Sequence, residues 1–115
     1  MGAVLRMMTQ KLAAAEPLSP ECCTTMPEVR AGVDATDREL VQLLERRFGY
    51  MLAAARIKPS RDAVRDEARK AEVLENIRAD AIARSLPADQ LVDVWEKLIE
   101  ASIAYELTEW DRLHA

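Results

Sequence analysis

A chain of 115 residues, half of them hydrophobic and 31% charged, is long enough for one domain and apolar enough for a core, and its composition is not that of a disordered tail. Sixteen Lys and Arg against 20 Asp and Glu leave a net charge of -4, so the basic field that nucleic-acid binding draws on is missing. Only three Gly and 4% aromatic residues, in a chain rich in Ala, Leu, Glu and Arg, favour helices over a many-turned sandwich or barrel, and the expected fold is all-α.

Residues 1 to 25 mix Met, Ala, Pro, Ser and Thr without a sustained period and read as a flexible N-terminal extension with at most a short helical piece. The mildly apolar start, MGAVLRMM, is interrupted by Arg6 and ends too soon for a secretory core or a membrane span, so no membrane partner is expected and the cytoplasm is the default compartment. Cys22 and Cys23 are neighbours, which an ordinary disulfide cannot bridge without distortion, and no adjacent His or basic cluster activates them. With His114 as the single histidine, soft ligands are too few for a structural zinc site, and no metal is expected.

The helical domain is expected over 26 to 115. Thr25, Pro27 and Glu28 form a helix start, with Thr25 as cap, Pro in the first turn and Glu at the third position of a capping box. From there Val29, Val33, Thr36, Leu40, Leu43, Leu44, Phe48, Met51, Leu52 and Ala55 recur at helical spacing until Pro59. A helix of about 31 residues is roughly 47 Å long, whereas a globule of this size is about 35 Å across, so the helix is expected to cross into a partner subunit. Gly49 lies inside it at a cost of about 1 kcal/mol against Ala, and the helix is read as continuous. After the polar connector KPSRDAVR, Asp66 caps a second helix of about 20 residues that closes at Ser85-Leu86-Pro87. Pro87 opens a third, of about 26 residues, with Leu91, Val94, Trp95, Leu98, Ile99, Ser102, Ile103, Glu106 and Trp110 along its inward stripe.

The polar residues that interrupt these stripes are the informative ones. Arg47 shares a face with Leu43, Leu44 and Met51, and Lys58, 11 residues on, returns to within about 20° of it. Ser102 and Glu106 are an i, i+4 pair among Leu98, Ile99 and Ile103, where an unpaired acid is expensive to bury. Two cations and an acid facing one core indicate a polar cavity in a helical bundle; the alternative is that Arg47 and Lys58 snorkel from the stripe's edge, with Glu106 in a purely structural ion pair. Arg69 and Lys70 sit in the first turn of the second helix, where the helix dipole disfavours cations, a mismatch that an anionic ligand nearby would relieve. Arg30, about 100° around the helix from Arg47, reads by itself as a solvated arginine.

Taken together, VR at Val29-Arg30, LLERR from Leu43 to Arg47, Lys58, VRDEARKAEVLENI from Val64 to Ile77 and LIEASIAYE from Leu98 to Glu106 resemble the all-helical chorismate mutase family and its relative isochorismate pyruvate lyase, over about residues 27 to 112. The individual motifs are degenerate, but the spacings of 17 and 11 between Arg30, Arg47 and Lys58 match the family. The resemblance implies an intertwined homodimer in which Arg30 reaches into the partner's site, a small dicarboxylate substrate, no cofactor, and possible association with another shikimate-pathway enzyme. It further implies that Arg30, Arg47 and Arg69 hold two carboxylates, that Lys58 and Glu106 lie at the ether oxygen, that Asp66 lies near the ring hydroxyl, and that Ser102 lies near a carboxylate.

Two departures bear on this. Lys70 stands where many members have Glu, which alters the expected contact to the ring hydroxyl and with it the substrate preference. Glu106 stands where many have Gln, and a carboxyl donates a hydrogen bond only when protonated. Burial favours its neutral form and Lys58 its charged form, so the sign stays open; if burial dominates, activity rises toward acidic pH. Asp66 and the charged stretch Arg65 to Lys70 look more like a mutase, whereas the connector length and SIAYELTEW look like the lyase. The non-enzymatic alternative is a helical dimer module whose buried charges only fix register.

Overall fold

The computed structural model describes residues 17–115, and they are all-α: three helices, two short 3-10 turns and, among the described residues, no strand. The expected flexible extension falls mostly on residues 1–16, which lie outside the described residues. The first helix, α1, spans Met26–Ile57 and the second, α2, Glu67–Ala83. The third, α3, spans Ala88–Leu113, and the 3-10 turns are Pro20–Cys22 and Arg61–Ala63. The chain divides into two compact units, with the boundary between Arg46 and Arg47.

The start of α1 is the expected capping box, enlarged. One Glu28 carboxylate oxygen accepts from the Thr25 amide (3.0 Å) and hydroxyl (2.8 Å) and from the Thr24 amide (3.1 Å), and the Glu28 amide donates to Thr25 Oγ1 at 3.4 Å. The Thr25 hydroxyl and the Thr24 amide hold the Glu28 carboxyl below its ordinary range. Gly49 does not interrupt the helix, and a side chain there would meet open space. In the first unit, residues 17–23 lie beside α1 and leave an apolar groove of about 500 Å3 against Val29, Gly32, Val33 and Thr36.

In the second unit α2 and α3 pack against each other. Arg78 pairs with Asp89 (2.8 Å), Lys70 with Glu96 and Glu100, and Arg65 with Glu100, so partners later on α3 meet residues earlier on α2 and the two helices run antiparallel. Asp66 caps α2 as expected, its Oδ1 accepting from the Arg69 amide at 3.0 Å. At 17 residues α2 is shorter than the expected 20 or so. Leu86 N–H reaches back to Ala81 O (2.8 Å) and Ser85 N–H to Ile82 O (3.1 Å), a Schellman motif that ends the helix at Ala83. Ser85 takes the left-handed conformation (φ 56°) that glycine adopts more cheaply.

The last turns of α1 join α3 through Phe48, which meets Tyr105 edge to face at 5.1 Å, and through Trp110, whose indole N–H donates to Lys58 O at 3.0 Å. The buried hydrophobic residues among those described are small and few: Ala55, Val64, Ala81 and Ile99. The α1 stripe expected to be core remains largely open in its first half, with Val29, Val33, Leu40 and Leu43 between 38% and 57% exposed. None of the described helices is long and apolar enough to cross a membrane.

Candidate active site

The second unit contains a pocket of about 310 Å3 whose wall includes seven of the eight residues singled out from the sequence: Arg47, Lys58, Asp66, Arg69, Lys70, Ser102 and Glu106. Apolar walls come from Met51, Ala54, Val64, Val73, Ile99 and Ile103. Three elements converge because of their periods. Arg47, Met51, Ala54 and Lys58 recur at three- and four-residue steps along α1, and Ile99, Ser102, Ile103 and Glu106 do so on α3. The α2 cap places Asp66, Arg69 and Lys70 in a single turn. Arg30 is exposed in the first turns of α1, in the other compact unit, and does not line this pocket.

The α3 side chains bind α1 in series. Ser102 and Glu106 are 3% exposed. Arg47 Nη1 donates to Ser102 Oγ at 2.6 Å, and the hydroxyl in turn donates to Leu98 O, also at 2.6 Å. Lys58 Nζ donates to Glu106 Oε2 at 2.8 Å and to Val64 O at 3.3 Å. The i, i+4, i+8 series Ser102, Glu106, Trp110 thus holds the Arg47 head, the Lys58 head and the Lys58 carbonyl. Trp110 is read from the sequence as an apolar stripe residue; its polar edge is invisible there, because a periodic pattern reports which face a ring occupies and not what its N–H meets.

The cations differ in what balances them. The Lys58 charge is taken up by Glu106. Arg69 pairs with Glu72 on the surface, where its side chain is 61% exposed. Arg47 has only a neutral hydroxyl as side-chain partner; burial, and secondarily the like charge of Arg69, weaken its hold on its proton. A half-buried guanidinium that faces a cavity with no carboxylate of its own is chemically suited to hold an anion. Every buried side-chain nitrogen or oxygen among the described residues has a partner, so the cavity wall is polar without being frustrated.

At the edge of the pocket lies a charge cluster that the sequence did not reveal. Lys70 Nζ contacts Glu96 at 2.5 Å and Glu100 at 2.9 Å, and Arg65 contacts Glu100 at 2.7 Å and Glu67 at 2.8 Å. Hydrogen bonds from Arg65 first and Lys70 second hold the Glu100 carboxyl at about 2, against an ordinary 4.5. Because the folded value is the lower one, the contribution of this carboxylate to stability is complete above about pH 4.5 and disappears as pH falls toward about 2. Urea unfolding of the wild type and Glu100→Gln should therefore differ by a constant small amount above about pH 5 and converge below it; a gap that persists unchanged to pH 2 would contradict the assignment.

Known proteins are similar to the chain in sequence. Residues 29–107 match the family model described as chorismate mutase type II. Over 92 residues, 80% of this chain and 91% of the relative, the chain is 32% identical to the isochorismate pyruvate lyase of Pseudomonas aeruginosa.

Proposed function

Because the chain belongs to the type II chorismate mutase family, we propose that it rearranges chorismate to prephenate, with its pocket as the active site. One observation carries this reading: a single pocket presents a half-buried arginine with no carboxylate partner, Arg47, alongside a lysine and acid pair, Lys58 and Glu106. The [3,3] rearrangement is unimolecular, and its chemistry requires no nucleophile and no cofactor. The site has to clamp the chair-like conformer and stabilise the negative charge growing on the breaking ether oxygen. Arg47 and Arg69 take the two carboxylates, Ser102 orients the Arg47 head, and Lys58 with Glu106 faces the ether oxygen. Asp66, already occupied with its cap bond to Arg69 N–H, offers its remaining oxygen lone pairs to the ring hydroxyl.

A second copy of the chain completes the site. Val29, Val33, Leu40 and Leu43 form an exposed apolar stripe on α1 that a partner α1 covers, bringing the partner's counterpart of Arg30 to a substrate carboxylate. Leu40→Glu places a charge in that stripe and should convert the dimer to monomer in sedimentation velocity, with loss of at least about 90% of turnover. A dimer that survives Leu40→Glu with full activity would remove this interface. The compartment that fits a small-metabolite isomerase of this kind is the cytoplasm.

The lyase relative favours a second reading, release of pyruvate and salicylate from isochorismate. A mass-resolved product assay with chorismate and, separately, isochorismate at about pH 5 and about pH 8 decides between the two. Prephenate from chorismate is the expected result. Salicylate from isochorismate alone would overturn the mutase reading, and turnover of neither substrate would leave a non-catalytic helical dimer.

A further inference from the structure

Four cations line the pocket, yet a substrate with two carboxylates calls for two. Lys58 is matched by Glu106 inside the wall, Arg47 has no carboxylate partner, and Arg69 has one, Glu72, in an exposed i, i+3 pair outside the wall. Lys70 remains. Its side chain is 14% exposed and lines the cavity, but its ammonium contacts Glu96 and Glu100, neither of which lines the pocket. These two glutamates are an i, i+4 pair on α3, and at 100° per residue they lie roughly 80° to 160° around the helix from Ser102 and Glu106. The Lys70 head is therefore drawn sideways along α3 while its methylenes remain in the wall. Two carboxylates on one ammonium leave a surplus negative charge, which Arg65, shared between Glu100 and Glu67, offsets only in part.

We propose that Glu96 and Glu100 are specificity-determining residues that withhold the Lys70 charge from the pocket and so match it to a dianion rather than to a more highly charged ligand. The proposal rests on the dicarboxylate-binding reading above. With both glutamates intact the cations open to a ligand are Arg47, which has no carboxylate partner, and Arg69, which is held by a single surface pair with Glu72 rather than by two carboxylates. With both neutralised, the Lys70 head has no stronger partner than an anion in the cavity, and a third carboxylate becomes worth binding. Glu96 and Glu100 are both substantially exposed, at 42% and 40%, so neutralising them leaves the packing of α2 on α3 in place.

The test uses four forms of the full chain: wild type, Glu96→Gln/Glu100→Gln, Lys70→Met, and the triple variant. Titration calorimetry at fixed ionic strength gives Kd for benzene-1,3-dicarboxylate and benzene-1,3,5-tricarboxylate. The double variant should bind the tricarboxylate about tenfold more tightly than wild type and the dicarboxylate less than about threefold more tightly, as expected for one added charge at close range. Lys70→Met should abolish the gain, leaving the triple variant with the same selectivity as Lys70→Met alone. Equal gains for both probes, no gain, or a gain that survives Lys70→Met would overturn the proposal while leaving the dicarboxylate site standing. Failure of the dicarboxylate to bind any of the four forms would overturn the dicarboxylate reading, and this proposal with it.

Discussion

Lys58→Ala should lower kcat/KM for chorismate by about 10²–10³-fold, or about 3–4 kcal/mol, the range seen when one preorganised donor is removed from a developing oxyanion. The expectation comes from where Lys58 is fixed. Its carbonyl accepts from Trp110, its ammonium is held by Glu106 and Val64 O, and so the head reaches the cavity without having to be ordered when substrate arrives. The fall should be mainly in kcat, because the charge it stabilises exists only as the ether bond breaks. Lys58→Ala also strips the cation from Glu106, which is 3% exposed, and an uncompensated buried carboxylate destabilises the fold. Lys58→Ala/Glu106→Gln separates the two effects: thermal stability should return and the lost turnover should not. Near-normal kcat in Lys58→Ala would remove the lysine from the chemistry.

Arg47→Met should produce the second large effect, with the opposite signature. Loss of a fork-shaped cation from a dianion site should raise KM and cost about 10²-fold or more in kcat/KM, and Arg47→Lys should recover little of it, because a point charge does not reproduce the two-pronged contact. The fold should not suffer. Ser102 keeps its bond to Leu98 O, and a guanidinium disfavoured by burial and by Arg69 is replaced by an apolar chain among Met51, Ile99 and Ile103. The variant should melt no lower than wild type while being nearly inactive; that combination marks a residue kept for its ligand. A variant that unfolds instead would make Arg47 a structural residue.

The helix boundaries were legible in the sequence because local rules set them. Thr25 with Glu28, Asp66, and Pro87 at the α3 N-cap all act within one turn of the positions they define. The end of α2 was less so: Ser85 in a left-handed conformation carries no glycine signal, and the shortening to Ala83 follows from backbone bonds that only the folded chain reveals. The site was legible where spacing carries it, as for Arg47 with Lys58 and Ser102 with Glu106, since a helical period places such residues on one face. The partners of Lys70 were not, because a salt bridge between α2 and α3 depends on how the two helices lie together and leaves no trace in either helix's own pattern. The open stripe of α1 shows the same limit. Val29, Val33 and Leu40 have the period of a buried face, and periodicity states that a face is apolar without stating whose surface covers it.

The hydrogen bond from Trp110 to Lys58 O has a consequence for how the molecule opens. The last carbonyls of a helix usually fray first, since nothing inside the helix pairs with them. Here the C-cap of α1 is satisfied by a side chain in the last turn of its neighbour, and Glu106, one turn earlier on α3, grips the same residue. Amide deuterium uptake at 54–58 should consequently track that of 102–110 as one cooperative unit, slower than at the other end of α1, and Trp110→Phe should uncouple the two segments.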